Sequence, residues 1–238
     1  MNDFADIWTF LSQAPLWWLT ATLAAYAAGD ALFRAAGRRP WLNPVPIAVV
    51  LLALVLGLTG TPYATYFEGA QFVHFMLGPA TVALAVPLYL NLGRVRSAAL
   101  PMLAALVAGS LTAMVSAVGV AWALGVRGET LVSLAPKSAT APVAMGVSEA
   151  IGGSPTLTAV LVILTGISGA IIATPLLNAL KITDWRARGF AVGVAAHGIG
   201  TARAFQVNET AGAFAGIGMG LNALLTALLA PMVIGLFL

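Results

Sequence analysis

Two stretches of this chain hold most of the side chains that can do chemistry at depth in an otherwise apolar sequence. The first, A-P-K-S-A-T-A-P-V-A-M-G-V-S-E-A-I-G-G-S, runs from Ala135 to Ser154 and carries Lys137, Ser138, Thr140 and Glu149 with Pro136 and Pro142 among them. The second, G-F-A-V-G-V-A-A-H-G-I-G-T-A-R-A-F at 189–205, carries His197, Thr201 and Arg203 among glycines. Each lies between long apolar runs and so belongs at membrane depth, yet neither suits a plain spanning helix. Backbone broken by proline or glycine must there be buried in protein or line a cavity, because unsatisfied N–H and C=O groups cost several kcal/mol each in hydrocarbon.

The chemistry these residues suit is recognition of a small anion. A half-helix starting after Pro136 would present free N–H groups and a positive dipole end near Ser138 and Thr140, which attracts a carboxylate. Lys137 or Arg203 would supply the charge, Arg203 as a bidentate fork. His197 titrates near neutral pH and could relay a proton. Its spacing of six from Arg203 places the two on different faces of a continuous helix, and a break at Gly198–Ile199–Gly200 would bring both to one cavity. Blander readings stand beside these. Lys137 also reads as a surface loop lysine with Ser138 an ordinary N-cap, Arg203 as snorkelling to the interface, and His197 as bonded to a backbone carbonyl. Asp30 reads as a surface ion pair with Arg34, Glu149 as a solvated helix end, His74 as a wet residue near the external side, and Asn222 as interhelical glue.

Composition requires a membrane around these stretches. Of 238 residues 60% are hydrophobic and 8% charged, against about 25% charged in a soluble domain, and mean hydropathy is +0.96. The pI near 9.7 does not indicate nucleic acid, since the net charge is only +3 and the basic residues form short clusters between apolar runs, the positive-inside pattern. No cysteine is present, which excludes disulfides, thiolate catalysis and Cys-ligated metal. No P-loop occurs, and the two histidines, 123 apart, make no metal pair by spacing. No Ser-His-Asp order stands out, so the chain is expected not to be an enzyme and to hold neither metal nor cofactor.

Apolar runs at 14–33, 45–59, 70–90, 98–124, 156–180 and 211–238, with the two broken stretches, give about seven or eight hydrophobic segments. The N-terminus, M-N-D-F-A-D-I-W, lacks a basic n-region and is expected to be retained rather than cleaved. Trp17 and Trp18 read as interface anchors. Arg34, Arg38 and Arg39, then Arg94 and Arg96, then Lys181, Arg186 and Arg188 mark cytoplasmic ends, and Arg127 falls outside by alternation. With that orientation 131–153 enters and leaves on one side as a re-entrant hairpin; the alternative is a full crossing that violates the charge rule. Gly78 to Tyr89 holds two prolines eight apart and reads as a kinked helix.

A weak internal repeat is visible. Thr81 aligns with Thr140 and Gly93 with Gly152 at an offset of 59, and a looser echo puts Thr201 61 after Thr140 and Gly212 60 after Gly152. Gly212, Gly216 and Gly220 at spacing four suit close helix packing. Broken helix followed by long helix, repeated, is a transporter pattern. The expected fold is therefore an all-α integral membrane protein with broken or re-entrant helices and internal repeats, elevator-like, forming one transmembrane domain over 1–238 with repeat units near 44–124 and 131–238.

Three runs carry a family resemblance: L-G-P-A-T-V-A-L-A-V-P-L-Y (77–89), P-K-S-A-T-A-P-V-A-M (136–145) and A-A-H-G-I-G-T-A-R-A (195–204). Together and in order they resemble the LrgB/CidB family, from about Trp17 to Leu238. The family's central serine, threonine and proline are matched by Ser138, Thr140 and Pro142, and its His-x-x-Gly-Thr-Ala run by His197, Gly200, Thr201 and Ala202. Ala139 and Ala141 stand where many members carry a larger residue or threonine. The resemblance implies either of two roles. One is holin/antiholin-like control of murein hydrolase export and autolysis. The other, known for plastid members that export glycolate and glycerate and for bacterial members linked to pyruvate uptake, is small-carboxylate transport. Bacterial members usually sit beside a small LrgA/CidA-type partner. The expectation drawn is an ion-coupled monocarboxylate transporter of the bacterial inner membrane, a homo-oligomer that binds no nucleic acid. Ser138, Thr140, Pro142, Thr201 and Thr81 would line the substrate, Lys137 or Arg203 would supply charge, and His197 would carry the coupling proton.

Overall fold

Proline and glycine punctuate this chain, and the helices follow the punctuation. The computed structural model describes residues 14–39, 42–76 and 92–237, with isolated positions between 77 and 91. The described residues are helical, without strands. Contacts divide the chain into two compact units, 1–80 and 81–238. The proposed kink at 78–89 and the site residue Thr81 lie outside the described residues.

The first unit holds α1 (Pro15–Ala35), α2 (Pro44–Thr59) and α3 (Tyr63–Phe75), with α1 packed on both others. The turn after α1 uses the left-handed region at Gly37 and Arg38, and α2 starts at a proline capped by Asn43, whose Oδ1 accepts from Val45 N at 2.9 Å. The expected Asp30–Arg34 pair forms at 2.6 Å. Trp18 departs from its expected place as an interface anchor. It is 0% exposed and meets the Tyr66 ring edge-on at 5.7 Å between centroids, because Gly69 admits α1 against α3. Val50, Leu54 and Leu58 of α2 are exposed, as lipid-facing side chains are.

The second unit begins with α4 (Leu92–Ser97), which carries Arg94 and Arg96, and α5 (Ala99–Ala123). Then follow α6 (Gly128–Leu134), α7 (Ala141–Ala150), α8 (Pro155–Ala179), α9 (Trp185–Val207) and α10 (Glu209–Ile234). Among the described residues three helices are long and apolar enough to span a bilayer: α5, α8 and α10. With 25, 25 and 26 residues each is roughly 37–39 Å long, against a hydrocarbon core of about 30 Å. α7 has 10 residues, about 15 Å, and reaches only half that depth.

The segment 128–153 is a hairpin. Ser133 and Ser148 stand seven residues before Thr140 and seven after Ala141, and both meet Thr158 of α8: Thr158 Oγ1 lies 3.0 Å from the Ser133 carbonyl oxygen and 2.7 Å from Ser148 Oγ. Two limbs that touch at equal distances from a turn are antiparallel and return to the same end. Of the two sequence readings of this stretch, the geometry is that of the re-entrant hairpin.

α9 is a second hairpin, although its helical turns run almost without interruption. Ala196 (φ −131°, ψ 18°) and His197 (φ 39°, ψ −136°) leave helical geometry, and the chain reverses there. In the first limb Gly189 and Gly193 lie against the carbonyls of Ala211 and Ala215, so this limb runs parallel to α10. In the second limb Thr201 meets Met219 and Phe205 meets Gly212, an antiparallel register. The break falls at Ala196–His197, one residue before the expected Gly198–Ile199–Gly200. The sharpest turn therefore sits on a non-glycine residue.

The two hairpins enter from opposite ends. Met102 and Leu106, early in α5, pack with Phe190 and Val194 of the second hairpin and with Phe214 and Ile217 of α10. Met114 and Val118, late in α5, pack with Leu131 and Val132 of the first hairpin and with Ala230, Val233 and Ile234 of α10. Each hairpin leads into a long helix, capped by Ser154 in α8 and Asn208 in α10, both bonded to the amide three residues on. The observed unit is thus hairpin plus long helix, twice, in opposite senses. Its caps are 54 residues apart and its turns 56. The echo of 60–61 that paired Thr140 with Thr201 is not this register: Thr140 corresponds in place to Ala196.

Candidate functional site

Both hairpin tips reach the middle of the long helices, and the buried polar groups collect there. Asn222, midway along α10 and 1% exposed, donates from Nδ2 to the Ser138 carbonyl at 3.1 Å. Its Oδ1 accepts from Ser110 Oγ, midway along α5, at 2.5 Å. Asn222 therefore ties the first tip to two spanning helices, more than the interhelical glue expected of it.

The second tip is tied in the mirror sense. His197 Nε2 lies 2.8 Å from the Val162 carbonyl oxygen of α8. A carbonyl can only accept, so Nε2 carries the hydrogen and Nδ1 is the nitrogen left to titrate. The ring gets this close because position 166 is glycine; a Cβ there would stand 2.5 Å from His197 Cε1. Thr201 Oγ1 donates to the His197 carbonyl at 2.7 Å and steadies the first turn after the break. Val162 joins the two tips, since its side chain packs on Ala139 and Ala144 of the first hairpin while its carbonyl holds His197 of the second.

The expected site residues separate in the fold. Ser138, Thr140, His197 and Thr201 are buried at the tips. Lys137 is half-buried, with Nζ 3.4 Å from Ser138 Oγ, and it is near enough to His197 to act on it electrostatically. Pro142 sits in the first turn of α7, where its missing N–H removes no helical bond. Arg203 is elsewhere: six residues past the turn, it lines a groove near the hairpin base with Trp185, Arg188 and Val207, and Nη1 donates to Gln206 Oε1 at 3.2 Å. The reversal at His197 carries Arg203 about 9 Å away along its limb, so it does not join His197 in one cavity. Glu149 and His74 are exposed.

Thr140 has the most informative environment. It is the residue before α7, yet its side chain makes no cap bond, and Oγ1 is buried without a hydrogen-bond partner among the described residues. A buried hydroxyl left unpaired costs on the order of 1–3 kcal/mol. Thr140 leads into the first-turn N–H groups of α7, a positive helix end, and the limb after His197 begins another at the second tip. The only carboxylates in 81–238 are Glu129, Glu149, Asp184 and Glu209, and each lies at a helix terminus away from the tips. The two tips therefore offer one ammonium, two helix N-termini and unpaired hydroxyl capacity, with no acidic side chain from 81–238. That arrangement favours an anion over a cation, and among the described residues no group of three or more His, Cys, Asp or Glu side chains could hold a metal.

At the base of the second hairpin Asp184 caps α9, its Oδ1 accepting from Arg186 N at 2.8 Å. The Arg186 side chain hydrogen-bonded to it holds this carboxyl below its ordinary range. Arg188 is buried, stacks over Trp185 at 4.6 Å from the ring centroid and donates to the Ile182 carbonyl at 3.0 Å. Sequence reasoning passed over Asn222 as a site-building residue, and over Ser110, Val162 and Gly166 entirely. The signal for the first two was a polar residue at the centre of an apolar run; nothing local marked the others.

Comparison with known proteins gives the family. Residues 22–236 match the LrgB-like family. YxaC, an uncharacterised protein of Bacillus subtilis, is 34% identical over 216 residues, 91% of this chain and 94% of its own length. YwbG of the same organism is 36% identical over 82% of this chain and 87% of its own. The holin-like protein CidB of Staphylococcus epidermidis is 34% identical over 83% of this chain and 86% of its own. No solved structure matches the chain. With apolar helices of spanning length, two half-depth hairpins and a match along nearly all its sequence, the chain is a membrane protein of the LrgB-like family.

Proposed function

We propose that this protein carries small monocarboxylates across the bacterial inner membrane, with glycolate, glycerate, lactate and pyruvate as the substrate class. One observation supports this above the rest: two oppositely inserted hairpins end in helix N-termini at mid-depth, with Lys137 and an unpaired Thr140 hydroxyl at the first tip and no carboxylate of 81–238 at either. Oppositely oriented broken elements that meet at the midplane are the architecture of alternating-access transporters. In this reading Lys137 supplies the charge and Ser138 and Thr140 bond the carboxylate. Pro142 sets the first turn of α7, Thr201 shapes the opposite tip and His197 carries a coupling proton at Nδ1. Among the described residues no nucleophile–base pair is assembled, and no enzymatic step is assigned. A homo-oligomer and a small LrgA/CidA-type membrane partner belong to the same reading.

The names of the CidB relatives favour a different role, a holin-like one, and they say nothing of carboxylate transport. Reconstitution separates the two. Proteoliposomes should take up labelled glycolate or pyruvate saturably, Thr140→Val and Lys137→Met should lose uptake, and an enclosed dye should stay inside. Dye leakage without saturable flux would replace transport by the holin-like role.

A further inference from the structure

The two hairpins share a geometry but are fastened differently. Seven residues either side of the first turn stand Ser133 and Ser148, and four residues into α8 stands Thr158. All three are 0% exposed and form one chain of bonds to each other and to the Ser133 carbonyl. Ser133 Oγ also accepts from Ser154 N at 2.8 Å and donates to the Glu129 carbonyl at 2.7 Å. The corresponding positions of the second hairpin and its long helix, seven residues either side of Ala196–His197 and four into α10, are Gly189, Ala204 and Gly212. None has a side chain that can hydrogen-bond. At these positions the first hairpin is stapled to its long helix by hydroxyls, and the second packs on its own without them, Gly189 on the Ala211 carbonyl and Gly212 on Phe205.

The first limb of hairpin one interlocks Leu131 and Val132 with Met114, Val118, Val233 and Ile234. The first limb of hairpin two packs Phe190 and Val194 on Met102, Leu106, Phe214 and Ile217, but shows Ala191 and Ala195 to open space on two flanks. A cavity of about 620 Å³ lies between it and α5, lined by Pro101, Ala105, Gly109, Ala187, Ala191 and Ala195 among others. Another of about 320 Å³ lies between it and α8. The Thr140 hydroxyl is enclosed, so a ligand reaches it only when a tip moves.

We infer that the second hairpin is the moving gate of this protein and the first a fixed wall, with the His197–Val162 bond as the gate's latch. The gate swings from its base at Asp184 and Asn208. That base is the end of the molecule bearing Lys181, Arg186 and Arg188, the cytoplasmic side by the positive-inside rule.

The gate's meaning for substrate rests on the transport reading, whereas its motion can be measured without ligand. Hydrogen–deuterium exchange on the protein in phosphatidylglycerol/phosphatidylethanolamine nanodiscs should show amides of 190–205 exchanging at least about tenfold faster than those of 133–148. Ser148→Ala with Thr158→Val should bring the first hairpin toward the rate of the second, and His197→Ala should speed the second further. Equal rates, or a slower second hairpin, overturn the inference. Oxidised Ala204→Cys/Ala211→Cys should stop uptake reversibly, and oxidised Ser148→Cys/Thr158→Cys should leave it intact; the opposite pattern also overturns it. If the unmodified protein takes up nothing, the transport reading fails and exchange alone decides the gate.

Discussion

Replacing Asn222 by leucine should detach the first hairpin tip from α10, and the structure sets the size of the effect. Asn222 makes two bonds, one to the Ser138 carbonyl and one from Ser110 Oγ. The second loss is small. Ser110 lies within a helix and can turn its hydroxyl to the carbonyl four residues earlier, as Ser116 does to Thr112 at 2.5 Å. The Ser138 carbonyl has no such recourse, because it belongs to a non-helical turn buried at mid-depth. Side-chain bonds between membrane helices average about 0.6 kcal/mol, and an orphaned buried acceptor adds on the order of 1–3 kcal/mol. The expected cost of Asn222→Leu is then about 2 kcal/mol, and Ser110→Ala, which orphans the buried Asn222 Oδ1, should cost about as much. Reversible unfolding of the detergent-solubilised protein measures both, and the double variant should be less destabilised than the sum, since the two share one bond. An Asn222→Leu protein as stable as its parent, or strict additivity, would refute the docking of the tip through Asn222.

Thr140→Val should leave stability unchanged or slightly raised, because its hydroxyl has no partner to lose, while weakening carboxylate binding by roughly tenfold, the worth of one hydrogen bond to a charged group; titration calorimetry with glycolate checks both. His197→Gln keeps an N–H for the Val162 carbonyl and should fold normally but lose the pH dependence of uptake, whereas His197→Ala should also loosen the second hairpin, measured as faster exchange. Gly193→Val should prevent a stable fold, because a Cβ there overlaps the Ala215 carbonyl oxygen, and recovery of monodisperse protein from membranes reads this directly. Asp184 contributes its cap bond fully above about pH 4, the ordinary carboxylate range. Its folded pKa is lowered by Arg186, so that contribution fades only as pH falls through the lower value; Asp184→Asn should flatten this acid limb of the unfolding curve.

The sequence determined that this protein lives in a membrane, that 131–153 and 189–205 are not simple spans, and which side chains mark them. These conclusions rest on properties each residue carries alone: hydropathy, the missing N–H of proline, the cost of charge in hydrocarbon. Even the hairpin reading of 131–153 was accessible, because basic clusters report the side of the membrane without reference to packing. The tertiary structure alone decided what touches what. It turned 185–207 back on itself at His197, since only the fit of that ring against the Val162 carbonyl and over Gly166 makes a left-handed φ tolerable at a non-glycine residue. It separated Arg203 from the tip, because a reversal sends later residues toward the base. It brought Ser110, Val162 and Asn222, far apart in sequence, to one depth, because inverted insertion places helix midpoints side by side. And it revealed that Ser133, Ser148 and Thr158 answer to Gly189, Ala204 and Gly212, a correspondence between residues of unlike type that no match of letters along the chain can detect.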